Sequence, residues 1–131
     1  MWSWLSRAFR STGAAERAEA EGRFEDAVRL YVDAGAREEA VRVLLAVSET
    51  TRALEARRSL LTRAATLSRN DAQQVEARRR LARLTVDEAE DDPPRTDDDR
   101  RALADAARAL EGLGEHGDAA RAYVMLEDRE G

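Results

Sequence analysis

One phrase occurs twice in this chain, and it constrains the fold more than anything else in the sequence. Residues 22–31 read GRFEDAVRLY and residues 114–123 read GEHGDAARAY. Gly22, Asp26, Ala27, Arg29 and Tyr31 align with Gly114, Asp118, Ala119, Arg121 and Tyr123. A fainter echo follows the first copy at an offset of 13 residues, pairing Gly22 with Gly35, Glu25 with Glu38, Ala27 with Ala40, Val28 with Val41 and Arg29 with Arg42. Thirteen residues make one helix and its turn. A chain of 131 residues that repeats itself at this spacing reuses one small unit, a helix closed by glycine and followed by another helix.

The residues between the glycines support a helical reading. Ala, Leu, Arg and Glu dominate, Ile is absent, and the aromatics amount to 5%. These are strong helix formers, so the expected class is all-α. Hydrophobic residues at 43% and charged residues at 37% suit one modest core under a charged surface. All 22 basic residues are Arg, which codon usage in a GC-rich bacterial genome explains without any function. The net charge of −5 argues against a general nucleic-acid binder. Without cysteine there is no disulfide, thiolate nucleophile or Cys-based metal site. No apolar run reaches a membrane span, and MWSWLSRAFR lacks the apolar core of a secretory signal, so the expected location is cytoplasmic.

Along the chain, apolar spacing predicts helices over 2–10, 14–21, 24–34, 37–48, 51–69, 72–90, 98–112 and 117–127. The expected inward residues include Leu54, Leu61 and Ala65, then Ala77, Leu81 and Leu84, then Leu103, Ala106, Ala107 and Leu110. Asn70-Asp71 is a stop-and-recap signal, and Thr96 or Asp97 suits the cap of the helix that follows Pro93-Pro94. Four segments emerge: an amphipathic aromatic helix over 1–13, helical hairpins over 14–91, an acidic Pro-containing linker over 92–97, and a C-terminal hairpin over 98–131.

Ala14, Ala15 and Ala18 on one helix and Ala27 on the next allow close approach, while Gly22 permits the tight turn and Phe24 and Tyr31 fill the space beyond. This pattern, with Ala34 further on, resembles a tetratricopeptide repeat. Residues 100–127 resemble it again through Leu103, Ala106, Ala107, Leu110, Gly114, Ala119 and Tyr123, with His116 in the place of Phe24. The family's closing proline is missing, with Glu39 and Gly131 in those places, and 51–90 carries no copy. The resemblance implies a right-handed α-solenoid of stacked antiparallel helix hairpins, about seven to eight helices long, and a concave surface for a partner's peptide or helix. Carried over by position, the implied partner-binding residues are Glu16 and Glu19, then Arg101, Arg108 and Glu111. As ordinary solvated helix charges they would need no partner.

Nothing in the sequence assembles a catalytic site, so the expectation is no enzyme and no cofactor. His116 is a lone histidine without triad or metal partners. The acidic run 87–99 lacks the ligand spacing of an EF-hand and reads as solvated linker, so no metal is expected. The basic stretch 76–84, with Arg57, Arg58 and Arg63, could hold phosphates but has no interleaved aromatics. Ion pairs with nearby acids such as Asp87, Glu88 and Glu90 are the simpler reading. The N-terminal Trp2, Trp4, Leu5 and Phe9, beside Arg7 and Arg10, suit packing on the chain itself or on a partner. They also suit weak membrane contact, as in a peripheral membrane adaptor. The expected function is a non-catalytic protein-protein interaction scaffold, or a self-associating one. The apolar side of the last helix, at Tyr123, Val124 and Leu126, is a surface on which more protein could stack. An enzyme or its regulatory domain would instead need a pocket of clustered polar groups.

Overall fold

A computed structural model of the chain describes residues 12–128. Seven helices and no strand occur among the described residues. They are α1 (12–20), α2 (Phe24–Asp33), α3 (Arg37–Thr50), α4 (Leu54–Leu67), α5 (Asp71–Asp91), α6 (Asp97–Gly112) and α7 (His116–Asp128). No helix among the described residues is long and apolar enough to cross a membrane.

The three repeated glycines end helices α1, α2 and α6. Gly22, Gly35 and Gly114 have φ of +80°, +79° and +82°, a left-handed backbone that glycine adopts without a Cβ penalty. Each belongs to the same C-terminal motif. The glycine N–H donates to the carbonyl three residues back, and the next N–H donates to the carbonyl five back. These second bonds are Arg23 to Ala18, Ala36 to Tyr31 and Glu115 to Leu110, all 2.8 Å. The motif satisfies the last carbonyls of one helix while turning the chain into the next. The turn is so short that Arg23 and Ala36 are already the N-caps of α2 and α3, and neither offers a side-chain cap. Acidic residues in the first turn, Glu25 and Asp26 or Glu38 and Glu39, favour the helix dipole instead.

Longer connections use side-chain caps. The Thr96 hydroxyl accepts the Asp99 N–H at 3.0 Å, so of the two expected caps Thr96 is the one used. Asn70 Oδ1 accepts the Gln73 N–H at 3.1 Å and starts α5.

The chain divides into two compact units, one ending at Ala77 and the other beginning at Arg78, so the boundary falls inside α5. In the first unit α2 packs on α3 and α3 on α4. Their core joins Ala15 and Ala18 of α1, Ala27, Val28 and Tyr31 of α2, Ala40, Val41, Val43 and Leu44 of α3, and Ala64 and Ala77. Burial of Tyr31 or Leu44 contributes roughly 1.5–3 kcal/mol each. Alanine at 15, 18 and 27 lets α1 and α2 meet closely, as the sequence suggests. In the second unit α6 packs on α7. Leu103, Ala106, Ala107 and Leu110 meet Ala119 and Ala122, with Ala82, Val86 and Ala89 from α5.

Three expected core positions differ. Phe24 is 43% exposed and Leu54 is 41% exposed. Each is the first residue of its helix, at the margin of the inter-helix contact, so its spacing is right but a large part of it is left exposed. Leu81 is only half-buried, because the inner side of the second half of α5 is made by Ala82, Val86 and Ala89. That half serves a different core from the one holding Ala77, so a single stripe along α5 does not describe it.

Candidate interaction surface

The two glycine hairpins build the same polar contact. Tyr31 Oη donates to Glu19 Oε1 at 3.0 Å, and Tyr123 Oη donates to Glu111 Oε2 at 2.9 Å. Each pair is 12 residues apart and links the second helix of the hairpin to the first. Outside this pair the two hairpins diverge.

In the first unit Glu19 also meets α3. Arg42 grips its carboxylate with two nitrogens, at 2.9 and 2.8 Å. A bidentate guanidinium–carboxylate pair is directional and charge-assisted. The Arg42 bond, aided by the Tyr31 hydroxyl, holds the Glu19 carboxyl below its ordinary range against the opposing effect of burial. Arg42 is shifted upward, first by Glu19 and less by Glu39. Burial pushes the Tyr31 phenol up, and its bond to Glu19 adds to that. In the second unit Glu111 is exposed and accepts the Tyr123 hydroxyl, which raises the Tyr123 phenol. Among the described residues no guanidinium lies within hydrogen-bond reach of Glu111.

The apolar surface diverges with it. On α2, Val28 is 4% exposed, Tyr31 is 1% exposed, and Val32 packs partly against the core. The matching residues of α7 are Ala120, Tyr123 and Val124. Ala120 is exposed, Tyr123 is half-buried, and Val124 is 54% exposed. They share one stripe of α7. The opposite flank of α7 is tied to α5 by a ladder of charges. Arg79 and Arg83 meet Glu115 and Asp118 at 2.9 and 3.1 Å, and Arg121 meets Asp87 at 3.0 Å and also Glu90.

This ladder explains much of the basic stretch 76–84. Arg79 and Arg83 pair with acids, as the simpler reading has it, but the acids are Glu115, in the turn before α7, and Asp118 on α7. Asp87 and Glu90, the nearby acids named from the sequence, pair with Arg121 instead. On α4, Arg63 binds Glu25 through two bonds of 2.8 and 3.0 Å, which lowers the Glu25 carboxyl. Arg57 Nε donates to the Thr51 carbonyl at 2.9 Å.

Of the residues singled out in sequence, Trp2, Trp4 and Phe9 lie outside the described residues. Glu16 is exposed on α1, while Glu19 is engaged by Tyr31 and Arg42. Arg101 faces Asp98 at 3.9 Å, and Arg108 pairs with Asp105 on its own helix. Glu111 is brought to Tyr123, beside the bare stripe. His116 is exposed at the start of α7, as Phe24 is at the start of α2, so a polar and an aromatic residue are both accommodated there. Sequence reasoning missed Arg42 as the partner of Glu19. It missed the Glu–Tyr contact as well, although the equal spacing of Glu19 and Glu111 before the two tyrosines is a signal that could have found it. No group of three or more His, Asp or Glu among the described residues is arranged to hold a metal ion.

No protein-family model matches the chain, and no characterised protein or solved structure is significantly similar to it.

Proposed function

We propose that this chain is a non-catalytic protein-protein interaction scaffold of the tetratricopeptide-like kind, working in the cytoplasm. Its hairpins are read as units of a right-handed α-solenoid. One observation carries this reading: in the stripe Ala120, Tyr123 and Val124 the two outer residues are exposed and the tyrosine is only half-buried, while its counterpart on α2 is sealed beneath α3. An apolar helix face of the kind that the same protein elsewhere covers with a helix is a surface suited to docking. The exposed charges Glu16, Arg101 and Arg108 would then tune selectivity and encounter rate more than affinity.

Photo-crosslinking in the native host tests it. A crosslinking residue at position 124 is expected to give discrete protein adducts. The same residue at exposed Arg29 is expected to give few, and Ala120→Glu should abolish the adducts at 124. Equal labelling from both positions, or none from either, would overturn the scaffold reading.

A further inference from the structure

We infer that the α6–α7 hairpin receives an arginine-bearing helix from another protein, seated as α3 seats on α1 and α2. The inference rests on the scaffold reading above and specifies its partner. Three observations define the occupant. First, the acceptor is already built: Tyr123 holds Glu111 at 2.9 Å as Tyr31 holds Glu19 at 3.0 Å. Second, Glu19 has its bidentate guanidinium and Glu111 has none among the described residues. Third, the stripe left bare beside Glu111 matches the one that shares a core with α3.

The first unit therefore supplies the recognition chemistry. Around Arg42, Val41 and Leu44 are buried in the core with Tyr31 and Val28. A matching partner helix carries an arginine with branched apolar residues one position before it and two after. The guanidinium takes the free side of the Glu111 carboxylate and fixes register, while the apolar pair covers Tyr123 and Val124. Glu111 alone would be one more exposed acid. Its tyrosine clamp and the adjoining stripe make it half of a contact whose complete form stands elsewhere in the same protein.

The test titrates the intact chain with a synthetic peptide of residues 37–50, stapled between positions 46 and 50, which are exposed in the protein. Calorimetry is expected to give micromolar binding that weakens with added salt. Glu111→Gln in the protein, or Arg42→Ala in the peptide, should each weaken it about tenfold, with little further loss when combined. Val124→Glu should abolish binding, and circular dichroism will show whether the variants stay folded. Absence of binding, or binding indifferent to Glu111, overturns the arginine-helix proposal, and crosslinks at position 124 would still uphold the scaffold. Dimerisation of the chain that Val124→Glu abolishes and the peptide cannot compete away would make a second copy the occupant. If replacing Trp2, Trp4 and Phe9 with Ser tightened peptide binding more than tenfold, the occupant would be the chain's own N-terminus. Either result overturns the proposal.

Discussion

Tyr31 and Tyr123 occupy the same place in the same local sequence, each bonded to the glutamate 12 residues before it, yet one is sealed and the other half-exposed. The hairpin is identical in kind: a glycine at positive φ, an alanine just after it in the core, and a tyrosine one turn further. What differs is the third helix. α3 covers the outer side of α2 and adds Arg42 to Glu19. The repeated motif thus specifies how two helices meet and leaves open what lies across them.

Truncating the tyrosines is the strongest way to break this contrast. Tyr31→Ala should cost about 3–5 kcal/mol by opening a cavity in a closed core, whereas Tyr123→Ala should cost nearer ~1 kcal/mol. Chemical denaturation of both variants reads the difference, and equal losses would mean that the second hairpin is as covered as the first.

The glycines should sharpen the similarity. No atom lies within 4 Å of a Cβ built at Gly22, Gly35 or Gly114, so alanine there meets only backbone strain. Each substitution should cost roughly 1–2 kcal/mol, the same at all three sites within error. A much larger loss at one of them in thermal melts would show that its turn does more than reverse the chain.

The smallest effects come from charge. Arg42→Ala should cost about 1 kcal/mol, because the guanidinium is half-exposed and screened, against no more than ~0.5 kcal/mol for Arg29→Ala on its own helix. The sign with pH follows from the Glu19 carboxyl being lowered in the folded protein. Its contribution is complete above the ordinary glutamate pKa near 4.5 and is lost as the pH falls through the lower folded value. Stability measured on the acid side should therefore decline less steeply in Glu19→Gln.

Much of the fold was legible because its signals are local. A glycine that must take positive φ, a threonine that caps, and alanines that let helices touch act within a few residues, so all-α architecture and the repeated hairpin follow from the sequence. The partial exposure of Phe24 and Leu54 was not legible, since helical spacing says which side a residue faces and not how completely its neighbours cover it. Nor was the division of α5 between two cores, or the pairing of Arg79 and Arg83 with Glu115 and Asp118, over 30 residues away. By itself the sequence determined where helices begin, end and approach closely, because those are matters of backbone conformation and side-chain size. Only the tertiary structure decided that one tyrosine is sealed and its twin is not, because burial belongs to what distant segments bring to a surface.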